Sequence, residues 1–323
     1  MKIPLVFKPQ LKRRIWGGTK LLSRSETPVK SPIGESWELF DIEASSSIIA
    51  NGKDSGRSIH DLFQANPAGL CGENVKKLAV DHFPLFLKIL ETCEDMSLHV
   101  HPSDNLAHET MGPHAVGKHE AWYILDAEPG ASVYYGLSKA MSEDELRLTI
   151  AEGKLHHYLN MIPVRSGDFI SVPAGLMHSA GKGLTFLEMS QPCNQSYRVY
   201  DWNRKPAREL HLDDALKAAM RHKVSPASIR ITKPKSGDKR QVLLTHHNFT
   251  VEQLALDYKI PTTFKTDGRT CSVVFILMGF ALATSGGETL ELASWQSCLF
   301  PAEIKEFSLT GMRENCKALL FSL

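Results

Sequence analysis

A mainly β protein is the fold class the sequence predicts: two β-rich domains, each a sandwich or barrel, with a small helical insertion in the N-terminal one. Three observations predict it. Short segments rich in β-branched and aromatic residues recur through the first half, among them FLKIL, MSLHVH, AWYILDA, SVYYGL, DFISVP and LTFLEM, and such side chains suit a pleated, half-buried surface. Turn residues punctuate them. A basic stretch containing Pro and Ser, KVSPASIRITKPKSGDKR, then separates this run from a second one. The expected division is a first domain over 1–225, a connection over 226–239 and a second domain over 240–323.

The elements follow in order. SWELFDI and SSSIIANG read as strands broken by Gly-Gly and Pro turns, and SIHDLFQAN and ENVKKLAVD as two short helices. The β-run begins at FLKIL. It is interrupted by SEDELRLTIAEGKLHHYL, where Ser142 and Glu145 stand in capping-box spacing and predict helix within about 139–160. In the second half, Ser-Gly-Gly between two alternating apolar segments of SVVFILMGFALATSGGETLEL predicts a hairpin.

Composition narrows the partners. Lys plus Arg number 37 against 36 for Asp plus Glu, with no block of like charge, so neither nucleic acid nor an anionic membrane is an expected partner. A small polar ligand fits better. The six cysteines form no CxxC pair, which argues for reduced thiols rather than a thiolate metal site or a disulfide framework. The N-terminus lacks a continuous apolar run and nothing approaches the length of a membrane span. A cytoplasmic protein is expected.

Chemistry concentrates around MSLHVHPSD. Side chains at i and i+2 of a strand leave the same face, so His99 and His101 look into one space while Leu98 and Val100 face away. Converging neutral imidazoles suit a divalent metal, provided other ligands join them. Downstream, GDFISVPAGLMHSAGKG runs from Gly167 to Gly183 with the skeleton Gly-x5-Pro-x-Gly-x2-His ending at His178. This resembles the second motif of the cupin superfamily, whose first motif contains HxH. The resemblance implies two cupin-like (jelly-roll) barrels, with His178 brought against the HxH pair in the first.

Gly-Lys-x-Glu before a Trp-Tyr strand, together with RRIWGG, GESWEL, SLHVHPSD and YRVYDW, is similar to type I mannose-6-phosphate isomerases, over about residues 3 to 215. The resemblance implies one Zn²⁺ per chain on His99, His101, Glu120 and His178. His99 departs from the family, where Gln is usual. It also implies a sugar phosphate as partner, in a monomer or weak homodimer, and interconversion of mannose 6-phosphate and fructose 6-phosphate through an enediol. It places an active-site arginine at Arg198, Glu188 on the metal-facing strand, a basic residue at Arg204 and a catalytic lysine at Lys118.

The residues themselves add three candidates for substrate binding. Lys88 lies inside an apolar strand, where an unpaired ammonium is costly to bury. Ser97 shares the face of His99, and Trp16 can wall the pocket. Glu188 and Lys118 are both candidates for the proton-transfer base. Two other readings use the same barrel: a cupin dioxygenase with Fe(II), and a non-catalytic sugar-binding cupin. In the second domain Glu306 stands where the motif histidine would be, and His246 and His247 are adjacent, so on a strand they point to opposite faces. A degenerate, metal-free cupin-like domain is expected there.

Overall fold

A computed structural model describes residues 3–25, 28–42, 45–78, 80–220, 224–225, 231–232 and 237–323. Two compact units make up the chain, one from Leu11–Trp37 and Phe86–Lys233, the other from Met1–Gln10, Glu38–Leu85 and Pro234–Leu323. The expected boundary at 225 therefore differs from the observed division: segment 38–85 belongs with the C-terminal strands. The reason lies in long-range backbone bonds. Leu5 and Leu299 exchange N–H···O bonds of 2.8 Å, Glu303 and Ala302 donate to the carbonyls of Gly69 and Leu70, and Cys271 N donates to Cys71 O. Of the expected connection, only Ile231–Thr232 and the residues from 237 onward are described; Ile231–Thr232 pairs antiparallel with Phe169–Val172.

The unit that holds the candidate site has two sheets. One runs Gln10–Gly18, Ile33–Leu39, Phe86–Thr92, Leu184–Ser190, Glu120–Ala127, Phe169–Val172, Ile231–Thr232; the other runs Tyr197–Tyr200, Leu98–Val100, His178–Ala180, Ser132–Leu137, Leu159–Pro163. Register positions the chemistry. Glu188 lies opposite Lys88 on one side and Trp122 on the other, and His99 lies opposite both His178 and Arg198. Directly opposed residues in antiparallel strands share a face, so these pairs project together.

The insertion forms a helix, Glu143–Ala151, and a short 3₁₀ turn, Leu155–Tyr158. Its capping box is reciprocal: Glu145 N donates to Ser142 Oγ at 3.2 Å and Ser142 N to Glu145 Oε2 at 2.8 Å. Gly153, at φ +68°, ends it. Leu146 and Ile150 pack into one apolar cluster with Leu98, Val100 and Tyr197. The insertion thus covers the face of the Leu98–Val100 strand that the histidines do not use.

The other unit carries a five-stranded and a four-stranded sheet, with a core in which Phe307 stacks on Phe264 and Phe300. Phe280–Ser285 and Glu288–Ala293 form the predicted hairpin. Its two turn residues, Gly286 and Gly287, both have positive φ, +58° and +84°, the requirement of a type I′ turn. The interior is apolar. Of the two short helices expected before the β-run, the first is α-helical (Ile59–Ala65) and the second is a 3₁₀ turn (Glu73–Lys77). Among the described residues, no helix is long and apolar enough to cross a membrane.

Candidate active site

Among the described residues, one group of potential ligands converges: His99, His101, Glu120 and His178, whose ligand atoms all lie within 4.8 Å of one another. Each imidazole has its Nδ1 on a backbone carbonyl, His99 on Ser97 O (2.7 Å), His101 on Gln195 O (2.7 Å) and His178 on Leu176 O (2.8 Å). A carbonyl only accepts, so each Nδ1 carries the proton and each Nε2 keeps its lone pair. Burial pushes the pKa of His99 well down and that of His101 to about 3, which makes both neutral. His178 Nε2 stands 2.9 Å from Glu120 Oε1, and His101 Nε2 3.7 Å from the same oxygen. Burial favours the neutral acid at Glu120, but the Lys118 ammonium beside it prevails and holds the carboxyl well below its ordinary range. Lone pairs facing one another at this distance call for a cation between them. Three nitrogens and one carboxylate oxygen, without a thiolate, fit zinc and leave room for a further oxygen.

Beside the ligands runs a buried chain of alternating charge. Lys118 Nζ lies 2.7 Å from Glu120 Oε2 and 2.6 Å from Glu188 Oε1, and Lys88 Nζ lies 3.1 Å from Glu188 Oε1. Burial opposes the charge on Lys118, but Glu120 and Glu188 prevail and raise its pKa. Glu188 is raised by burial first and by Glu120 second. Two carboxylates sharing one ammonium account for both directions. Further along, Glu35 accepts from Arg14 Nε at 2.8 Å and Trp37 Nε1 at 2.6 Å. Burial raises its pKa, but Lys88, Arg14 and Trp37 together bring it to about 2.

These groups border a cavity of about 350 Å³. His99, Lys118 and Glu188 lie in its wall, with Lys88, Glu35, Arg14 and Trp16; Arg198, Arg208, Ser97, Ser196 and Asn194 also line it. Arg198 is half-buried and donates through Nη1 to Glu209 O at 2.5 Å. Arg208 donates to Asp201 Oδ2 at 2.7 Å and to Ser97 Oγ at 2.6 Å.

A family model, phosphomannose isomerase type I, catalytic domain, matches residues 5–129. The chain is 33% identical to a mannose-6-phosphate isomerase of Streptococcus mutans over 321 residues, covering 96% of each. It belongs to the type I mannose-6-phosphate isomerase family. Its fold matches the crystal structure of the mannose 6-phosphate isomerase from Bacillus subtilis with a TM-score of 0.85 at 29% identity, over 99% of both chains. It also matches a zinc-bound mannose 6-phosphate isomerase with a TM-score of 0.78 at 13% identity, over 98% of both chains; that likeness bears on fold, here the cupin fold of the family.

In this isomerase chain, ten of the eleven site residues expected from sequence either belong to the converging group of potential ligands or line the cavity: His99, His101, Glu120, His178, Lys118, Glu188, Lys88, Ser97, Trp16 and Arg198. Arg204 does not. Its guanidinium is spent on Asp201 at 2.9 Å, on Glu94 at 3.3 Å and on the Asp95 carbonyl, and Arg208, four residues on, reaches the cavity instead. Sequence reasoning also passed over Arg14 and Glu35, although both lie in or beside motifs that carried the resemblance, RRIWGG and GESWEL. The signal was a charged residue two positions before a tryptophan on a strand, Arg14 before Trp16 and Glu35 before Trp37. That spacing puts each charge on the face of its tryptophan but does not say which partner it meets: Arg14 finds Glu35 because their strands lie side by side.

Proposed function

We propose that this chain interconverts mannose 6-phosphate and fructose 6-phosphate with one zinc ion held by His99, His101, Glu120 and His178. The observation that carries the reading is the tautomer arrangement: three imidazoles, each with its proton turned to a backbone carbonyl and its lone pair turned inward toward one buried carboxylate. Zinc, when bound, supplies Lewis-acid stabilisation for the negative charge that develops on the sugar oxygens.

The remaining work falls to side chains. Aldose–ketose isomerisation moves a proton between C1 and C2. Glu188 lines the cavity and has carboxylate lone pairs to receive that proton, whereas Lys118, ion-paired on two sides, holds its own proton and stabilises negative charge. This favours Glu188 as base and Lys118 as its electrostatic partner. Arg198 and Arg208 supply cations for the phosphate group, and Ser97, which accepts from Arg208 and donates to Asp201, holds the Arg208 guanidinium at the wall. Lys88 and Trp16 complete the wall. The concentration of Lys and Arg on the cavity favours a sugar phosphate over the chemistry of a cupin dioxygenase, and an intact ligand set favours turnover over a non-catalytic sugar-binding role. All lining residues come from one unit, which fits action as a monomer or weak homodimer. Six free cysteines, five of them buried, fit the reducing cytoplasm.

The test is a coupled assay of the purified protein with mannose 6-phosphate. Fructose 6-phosphate should form, cease on chelation and resume with stoichiometric zinc. Turnover indifferent to chelation, or oxygen consumption with iron as the bound metal, would overturn the reading.

A further inference from the structure

Three segments that carry site groups meet at two residues to which the chemistry above gives no role. Asp104 opens the helix Asp104–Met111, three residues after His101. Gln191 is buried and follows the Glu188 strand directly. Between them lies the backbone of 117–119, which delivers Lys118 and Glu120. Asp104 Oδ1 accepts from Gly117 N at 2.8 Å and from Gln191 Nε2 at 2.8 Å. Gln191 Oε1 accepts from His119 N at 2.9 Å, and Gln191 N donates to His119 O at 3.3 Å. The amide cannot be turned over without losing both side-chain bonds, because a carboxylate must accept and an N–H must donate.

The middle amide of the three is held as well: Lys118 N donates to Pro102 O at 3.0 Å. Contact is so close that a Cβ on Gly117 would meet Asp104 N, the Ser103 carbonyl carbon and Pro102 O at 2.5–2.6 Å. All three N–H groups of 117–119 therefore bond to the His101 or Glu188 segment. Neither Asp104 nor Gln191 lines the cavity.

We propose that Asp104 and Gln191 are positioning residues of the isomerase: they clamp backbone 117–119 and thereby hold Lys118 Nζ between Glu120 and Glu188. The proposal rests on the functional reading above. Lys118 has a long side chain with several rotatable bonds, and its two contacts of 2.6 and 2.7 Å require its Cα to be held from outside. Displacements of about 1 Å at such a group cost up to about a hundredfold in rate.

The test compares wild-type holoenzyme with Gln191→Ala and Gln191→Glu. Gln191→Ala should keep about one zinc per chain and KM for mannose 6-phosphate within about twofold, while kcat falls by at least about thirtyfold. Amide hydrogen exchange in 117–119 should accelerate at least about tenfold. Gln191→Glu sets two carboxylates against each other and should lose kcat likewise. Unchanged kcat in both variants, a loss that tracks zinc content alone, or exchange at 117–119 no faster than in the wild type would each overturn the clamp. If the wild type does not turn over mannose 6-phosphate, the functional reading fails, and exchange at 117–119 still decides whether the clamp exists.

Discussion

At position 99 this chain carries His where its resemblance to type I isomerases leads one to expect Gln, and the structure shows what either must provide. His99 presents one neutral donor atom, because burial keeps it uncharged and its Nδ1 is committed to the Ser97 carbonyl. Gln can offer a neutral carbonyl oxygen from the same strand face. His178 differs: its Nε2 directly faces the buried Glu120 carboxylate, and no smaller residue replaces it. Arg198 differs again, having no lone pair for a metal. Elemental analysis beside kinetics should therefore separate three outcomes. His99→Gln keeps zinc and most activity; His178→Ala loses both; Arg198→Ala keeps zinc and fold while kcat/KM falls by at least about a hundredfold. Zinc lost in Arg198→Ala, or retained in His178→Ala, would contradict the ligand assignment.

At the scale of elements, the helical insertion separates stability from chemistry. Its N-terminus satisfies two backbone donors through the Ser142–Glu145 exchange, and its apolar side packs behind the Leu98–Val100 strand rather than in the cavity. Losing an N-cap hydroxyl costs about 1 kcal/mol. Ser142→Ala should lower the unfolding free energy measured by denaturant titration by that order while kcat and KM stay at wild-type values; a change in kcat would mean that the insertion supports the His99 strand more directly than its packing indicates. Strand register acts in the opposite sense. A one-residue slip of Leu184–Ser190 would turn Glu188 away from both lysines, taking from Lys88 its 3.1 Å ion pair and leaving Lys118 with Glu120 alone. Register here is enforced by charge as well as by apolar alternation.

For the whole molecule, the buried charges make stability depend on acid. Glu35 has an ordinary pKa of 4.5 and is brought to about 2 in the folded state. A depressed carboxylate contributes stability that is fully present above its unfolded pKa and is lost as pH falls through the folded one. For Glu35 that window runs from 4.5 down to about 2. Thermal unfolding followed across it should show wild type losing stability more steeply than Glu35→Gln, with the variant less stable at neutral pH because Arg14 and Lys88 lose their counter-charge. Parallel curves would show that Glu35 does not govern this loss.

The sequence alone determined the β character, the capped insertion and the glycine hairpin, because each rests on local spacing: alternation along strands, three residues between cap and partner, and Ser-Gly-Gly between apolar segments. His-x-His on one face was legible in the same way, whereas Glu120 and His178 came with the family resemblance. Lys88 was legible for a related reason, since an ammonium inside an apolar strand demands a partner wherever that partner lies. What only the tertiary structure decided depends on residues far apart in the chain. Glu188 finds Lys88 and Lys118 across two sheet neighbours, and Asp201 occupies Arg204 while Arg208 reaches the cavity. Segment 38–85 joins the C-terminal unit through bonds to residues more than two hundred positions away. Local pattern specifies which face a side chain takes, but the partner that neutralises a buried charge is chosen by which strands lie side by side, and no spacing within one segment encodes that.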